Sequence, residues 1–263
     1  MNAGSEAQAA TGSLGLPQDR LSTQSPIAAA MRITIAFLWM MLASLVMLAF
    51  GILTLFQTRR LYAEWFARWI GRGVLRIFGV RYVVHRSEPW PTGQAVYISN
   101  HTSTLDVFVL IAMGLPRTRY FMSGFLRKFP PVAIIGYLIR IFWTVLQDRP
   151  AERTRIFQRA DRILRQTGDS VYLSPEGERV TTGKVGPFNK GAFHLATSLR
   201  APIVPLFLSI PGDIDPGKGY APRSGTVHVH VKPAIDTSAW RLEELDVNRQ
   251  SVREVFVRWN EEL

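Results

Sequence analysis

The sequence predicts an α/β protein: a largely parallel sheet flanked by helices, preceded by an N-terminal hydrophobic helix and an amphipathic membrane-surface helix. Three observations predict it. An apolar run without charge, Ile33 to Phe56, stands near the start. From Tyr82 onward, short β-branched and aromatic runs alternate with stretches of helical periodicity. Most of those short runs end on polar or turn-forming residues, the pattern of strands whose ends carry a site.

Residues 1–30 are rich in Ala, Ser, Gly and Gln and read as a disordered tail. Residues 31–80 read as membrane-docking helices, and 81–263 as one catalytic-size domain. The Ile33–Phe56 run is 24 residues long. At about 1.5 Å per residue it is long enough to cross a hydrocarbon core of roughly 30 Å. A buried core helix is the competing reading, and a hairpin that enters one leaflet and returns fits the same run. The segment is too long for a signal peptide and lacks a small-residue cleavage site.

Next, Leu61 to Val80 carries Arg68, Arg72 and Arg76 at a spacing of four, on one helical face. Trp65, Phe66, Trp69, Leu75, Ile77 and Phe78 surround that face with apolar and aromatic surface. Such a helix suits the headgroup layer, its guanidinium groups on lipid phosphates. A solvated basic face on an ordinary helix is the competing reading.

Strands are expected at Ala95–Ser99, Tyr120–Ser123, Phe142–Leu146, Ser170–Leu173, Ile203–Ser209 and Thr226–Val231. Helices are expected to start near Ser103, Pro131, Ala151 and Gly191, with a last one over Asn248–Glu261. Val227, Val229 and Val231 alternate with His228 and His230, so that strand has one solvated face and its histidines read as exposed residues rather than metal ligands.

The net charge of +11 fits nucleic acid or an anionic membrane. Seven arginines lie between Arg59 and Arg86, directly after the apolar run. Their position favours the membrane over nucleic acid, and the positive-inside bias puts the bulk of the chain in the cytoplasm. There is no cysteine, which excludes disulfides, thiolate nucleophiles and cysteine-bound metals.

Three motifs carry chemistry. The Ala95–Ser99 strand runs into Asn100-His101, and Asp106 follows five residues later. On an ideal helix that offset is about 140°, so His101 and Asp106 meet only if the histidine sits in a turn and the aspartate in the first turn of the next helix. Thr102, Ser103 and Thr104 are suitable caps for it. The carboxylate then fixes one imidazole nitrogen and leaves the other as a base. Read alone, the pair equally suits a histidine capping a turn.

The second motif, Pro175-Glu176-Gly177-Glu178-Arg179, closes the Ser170–Leu173 strand with a tight turn. Arg179 suits bidentate grip on a phosphate. Glu176 either accepts from a glycerol hydroxyl or holds the loop. The third, Gln147-Asp148-Arg149-Pro150, places another guanidinium at a strand end. Pro187-Phe188-Asn189-Lys190-Gly191 then leads into a helix, and Lys190 reads either as a phosphate ligand or as a solvated cation. With no cysteine and no Gly-x-Ser-x-Gly serine, the simplest chemistry is direct deprotonation of a substrate hydroxyl by His101, without an acyl-enzyme.

Taken in order, Asn-His-x4-Asp, the arginine-terminated strand, Pro-Glu-Gly-x-Arg, Pro-Phe-x-Lys-Gly and the Val204-Pro205 strand resemble the glycerolipid acyltransferases of the 1-acyl-sn-glycerol-3-phosphate acyltransferase type. The resemblance covers about Tyr82 to Phe207. It implies His101 as general base and Asp106 as its partner. It implies that Arg149, Glu176, Gly177, Arg179 and Lys190 meet the phosphate and glycerol of a lysophospholipid acceptor. It further implies an acyl-CoA or acyl carrier protein donor, no cofactor and no metal, and membrane lipids rather than nucleic acid as the surrounding partner. Where that family usually has Phe, Thr and Ser in its third motif, this chain has Ser174, Glu178 and Val180; Trp143 and Leu146 stand near the Gly and Phe of its second. Glu178 adds a negative charge beside the expected phosphate site. Two readings compete: a non-enzymatic anionic-lipid binder, and a hydrolase using His101 and Asp106 with water.

Overall fold

The computed structural model describes residues 25–262 apart from 59, 60, 216, 218 and 220. The expected tail up to residue 24 lies outside them, as do Arg59 and Arg60. The apolar helix α1 spans Pro26–Leu53 and so starts earlier than its uncharged core, with proline in its first turn. One side of α1 is lined by Ala36, Ala43, Ser44, Met47 and Gly51 and is buried against the rest of the chain. Its other side exposes Leu38, Leu42, Leu45 and Val46.

The basic segment opens with a π turn, Tyr62–Phe66, and continues as helix α2, Ala67–Phe78. Its buried side, Ile70, Val74, Leu75 and Phe78, packs inward while Arg68, Arg72 and Arg76 stay exposed. Small residues let α1 and α2 approach. The Trp39 indole lies directly over Gly73 and donates to Ile70 O at 3.2 Å. Trp39 and Trp69 have ring centroids 4.4 Å apart.

Gly79, at φ 70°, ends α2 in the left-handed region. The chain then enters strand β1, Val80–Arg86, which the sequence reading left out. Its alternation of Val80, Tyr82 and Val84 with Arg81, Val83 and His85 is a strand period hidden in a basic stretch. Six further strands follow: β2 Val96–Ser99, β3 Thr118–Ser123, β4 Phe142–Thr144, β5 Ser170–Leu173, β6 Ile203–Ser209 and β7 Gly225–Val231. β4 is shorter than expected because Val145 and Leu146 already turn out of the sheet, Leu146 being exposed.

The sheet order is β1-β7-β6-β2-β5-β3-β4. All neighbours are parallel except β6 and β7. Helices α3 Leu105–Met113, α4 Pro130–Leu138, α5 Pro150–Thr167, α6 Gly191–Leu199 and α7 Leu245–Glu262 cover it. β2 is central and wholly buried. Ala95 and Tyr97 point into a core shared with α1, α2, α3 and α4; Val96 and Ile98 point into a second core shared with α5, α6 and α7. This two-sided burial is why the central strands read as continuous apolar runs.

On the solvated face of β1 and β7, His85 stands in register with His230, and their rings stack at 4.7 Å. His85 also meets His228 at 2.9 Å. Among the described residues, no group of histidines and carboxylates has the arrangement of a metal site.

Candidate active site

Three strand ends meet at the carboxyl edge of the sheet: those of β2, β5 and β6. Asn100 leaves β2 and bonds to β6 as a strand would. Its Nδ2 donates to Leu208 O at 2.9 Å, and its Oδ1 accepts from Leu208 N at 2.8 Å. Below it, Ser99 Oγ donates to Asn100 O at 2.8 Å and lies 2.8 Å from the Tyr172 hydroxyl. Burial pushes that phenol well above its ordinary pKa, with smaller contributions from the Asp106 and Glu176 charges. It therefore stays protonated and can serve as a donor.

His101 occupies the turn and Asp106 the first turn of α3, the arrangement the spacing requires. His101 Nδ1 lies 2.8 Å from Asp106 Oδ2. The same oxygen accepts from Thr102 N at 2.8 Å and Ser103 N at 3.1 Å. Asp106 is only 1% exposed, whereas the imidazole is 31% exposed. Asp106 Oδ1 is buried and bonds to none of the described residues. With its Nδ1 against this carboxylate, the ring is held in the tautomer that carries its proton on Nδ1. That tautomer leaves Nε2 as the ring's proton acceptor. Ser103 completes the turn: its Oγ accepts from Leu105 N at 2.8 Å and donates to Asp215 Oδ2.

The Pro175–Arg179 turn packs behind this loop. Glu176 is 3% exposed and spends both carboxylate oxygens on backbone amides: His101 N at 2.6 Å and Gly186 N at 2.7 Å. Burial raises its pKa, and these two amides oppose that shift. Each Glu176 oxygen is thus bonded to a backbone amide of the surrounding loops, the geometry of the loop-holding reading. His101 O in turn accepts from Val180 N at 2.8 Å. Gly177, at φ 75°, lies where a side chain would strike Asn189 Nδ2.

Arg179 reaches back over the histidine loop and donates to Thr104 Oγ1 at 2.8 Å. The two other cations named from the sequence lie further out. Arg149 caps α5, is 63% exposed and faces Glu152 at 3.6 Å. Lys190 bonds Asp246 Oδ2 at 2.7 Å, so its charge is already compensated. Thus His101, Asp106, Glu176 and Arg179 form one connected site. Sequence reading assigned no role to Asn100, Tyr172 or Asp215. Asn100 directly precedes the histidine and could have been found from that position. The other two are distant in the chain and carry no local signal.

The chain matches the model of the Acyltransferase family over residues 81–209. It is 33% identical over 196 residues to the 1-acyl-sn-glycerol-3-phosphate acyltransferase beta of Homo sapiens, covering 72% of this chain and 69% of that protein. It is 30% identical over 198 residues to the 1-acyl-sn-glycerol-3-phosphate acyltransferase of Limnanthes douglasii, covering 72% of this chain and 66% of that protein. Its fold superposes with a TM-score of 0.69 on the crystal structure of the 1-acyl-sn-glycerophosphate (LPA) acyltransferase PlsC from Thermotoga maritima. That match covers 89% of this chain and 97% of the other at 22% identity.

Proposed function

This chain belongs to the acyltransferase family, and from that premise we propose that it transfers a fatty acyl group from a thioester donor to the free hydroxyl of 1-acyl-sn-glycerol-3-phosphate, giving phosphatidic acid. The observation that supports the reading is the His101–Asp106 pair: Nδ1 lies 2.8 Å from a buried Asp106 carboxylate while the imidazole is 31% exposed. In the proposed step, Nε2 takes the proton of the acceptor hydroxyl as its oxygen attacks the thioester carbonyl. The new C–O ester bond forms and the C–S bond breaks. The imidazolium, stabilised by Asp106, returns the proton to the departing thiolate. No cysteine is available for an acyl-enzyme. Arg179, held against Thr104 on the histidine loop, is the cation we assign to the acceptor phosphate, with Arg149 as a second. The donor is acyl-CoA or acyl carrier protein.

We also assign this chain to a membrane. α1 is long and apolar enough to cross one, and its exposed side carries Leu38, Leu42 and Leu45. Exposed Trp65 and Trp69 and the α2 arginines fit the headgroup layer. The arginines after α1 support a cytoplasmic side for the domain, by the positive-inside bias.

The test is transfer of labelled acyl groups from acyl-CoA or acyl carrier protein to lysophosphatidate by purified protein. His101→Ala is expected to reduce turnover by about 10^3-fold or more without loss of folding. Full activity in that variant would defeat the mechanism, and lysolipid consumption without donor would favour hydrolysis.

A further inference from the structure

The chain between β6 and β7 stays at the carboxyl edge of the sheet and lies against the His101 turn. Its footing is fixed. Ile214 is buried in the core. The amides of Ile214 and Asp215 donate to Pro211 O at 2.9 and 3.1 Å, and Arg223 N donates to Ile214 O at 2.7 Å. Asp215, only 8% exposed, is thus presented to the turn from a bonded backbone.

Three consecutive residues of the turn meet this segment. Gly217, at φ 74°, lies so close that a side chain there would stand 2.5 Å from Thr102 O. Ser103 Oγ donates to Asp215 Oδ2. Thr104 Oγ1 donates to Gly219 O at 3.4 Å, and Arg179 Nη1 donates to Gly217 O at 3.4 Å as well as to Thr104. Asp215 Oδ1 accepts from Gly217 N at 2.8 Å, which closes the segment on itself.

The direction of the Ser103 hydroxyl is what Asp215 fixes. A hydroxyl has one proton to give and lone pairs to receive with. Leu105 N, the first amide of α3, needs a lone pair on Ser103 Oγ, 2.8 Å away. With its proton given to Asp215, the hydroxyl keeps a lone pair for that amide. Ser103 N donates to Asp106 Oδ2 at 3.1 Å, and the same oxygen lies 2.8 Å from His101 Nδ1. A continuous chain of bonds therefore runs from Asp215 through Ser103 to Asp106 and His101.

Packing alone does not call for a carboxylate here. Among the described residues no cation lies within ion-pair distance of Asp215. A buried charge bonded only to neutral donors costs stability, and a neutral side chain would fill the space at lower cost. The charge does make the Ser103 bond the stronger, charge-assisted kind. We propose that Asp215 is a positioning residue of this site: by orienting the Ser103 hydroxyl it sets the first turn of α3, and with it the Asp106–His101 pair, for proton transfer. The proposal rests on the acyl-transfer reading above and adds a residue to it from outside the three motifs.

The test uses the full chain in detergent. For each variant it reads kcat, both KM values, Tm and amide hydrogen exchange over residues 102–106. Asp215→Ala should lower kcat by about tenfold or more, part of the roughly 10^2-fold that a 1 Å misplacement costs, with both KM values within about threefold. Asp215→Asn keeps an acceptor for the hydroxyl and should fall between wild type and alanine. In a Ser103→Ala background, Asp215→Ala should change kcat by less than about twofold, because the hydroxyl it acts through is gone. Exchange over 102–106 should be faster in Asp215→Ala. Independent, multiplying losses in the double variant, an unchanged kcat, unchanged exchange, or a rise in acceptor KM alone would each overturn the proposal. Should Asp215→Ala fail to fold, Ser103→Ala puts the same kcat-against-KM question from the other end of the bond. A wild type that transfers no acyl group would instead defeat the acyl-transfer reading, while the exchange measurement would still decide whether Asp215 holds the turn.

Discussion

Glu176→Ala separates loop positioning from substrate binding. The buried carboxylate satisfies two amides, His101 N at 2.6 Å and Gly186 N at 2.7 Å. Truncation leaves both without that partner, the Gly186 amide being buried and the His101 amide partly so. Each orphaned N–H costs about 1–3 kcal/mol. Part of that is returned, because the wild-type carboxylate is itself destabilised by burial, as its raised pKa shows. The expected net loss is about 2–4 kcal/mol. The activity consequence follows from the same bonds. His101 N is tethered by Glu176, so its release lets the imidazole drift, and a displacement near 1 Å costs about 10^2-fold in rate. Glu176→Gln keeps one acceptor and turns an NH2 toward the other amide, so it should fall between wild type and alanine.

The assay is thermal unfolding in detergent together with kcat and acceptor KM. A large rise in acceptor KM with unchanged kcat and stability would refute the positioning role. The sign with pH is also fixed. The carboxyl's folded-state pKa lies above 4.5, so its contribution is fully present below that value and is lost as pH rises through the folded pKa. The stability gap between wild type and Glu176→Ala should therefore widen as pH falls from 7 toward 4.5. A gap that narrows on acidification would contradict the burial argument.

Two further predictions follow from the packing. Asp106→Asn replaces an oxygen that accepts from Thr102 N, Ser103 N and His101 Nδ1, and it removes the charge opposite the imidazolium. Turnover should drop by about 10^2- to 10^4-fold, read as kcat at saturating donor and acceptor; a loss under about threefold would separate Asp106 from the chemistry. Gly73→Ala drives a methyl into the Trp39 indole and displaces its bond to Ile70 O. It should destabilise the α1–α2 contact by about 1–3 kcal/mol, seen as a lower Tm and faster proteolysis after α1; an unchanged Tm would mean the two helices are not clamped there.

Much of the architecture was legible in local pattern. β5 and β6 fall on the expected residues, and β2 on all but its first. α6 starts at its expected glycine. These elements announce themselves because a strand buried on both faces must be apolar throughout, and because Gly and Pro punctuate its ends. β1 was missed because its inward residues are interleaved with Arg81, His85 and Arg86, which read as a continuation of the basic helix. Only its parallel pairing with β7 gives those residues a strand's neighbours.

The His101–Asp106 pair shows the same division. Spacing alone required the histidine in a turn and the aspartate in the following helix, and the residue types named the chemistry available to them. Sequence could also say that Pro175-Glu176-Gly177 forms a tight turn. It could not say which way the Glu176 carboxylate points, because the amides it serves, His101 and Gly186, come from separate segments brought together only by the parallel pairing of β2 with β5. Lys190 is the converse: its position before the helix suited either a phosphate ligand or a solvated cation, and only the fold brings Asp246 of α7 against it. Element type and chemical capacity are short-range properties, set by periodicity and side-chain identity. Which capacity is exercised is set by partners far apart in the chain, and burial of this sheet's edges decides those partners.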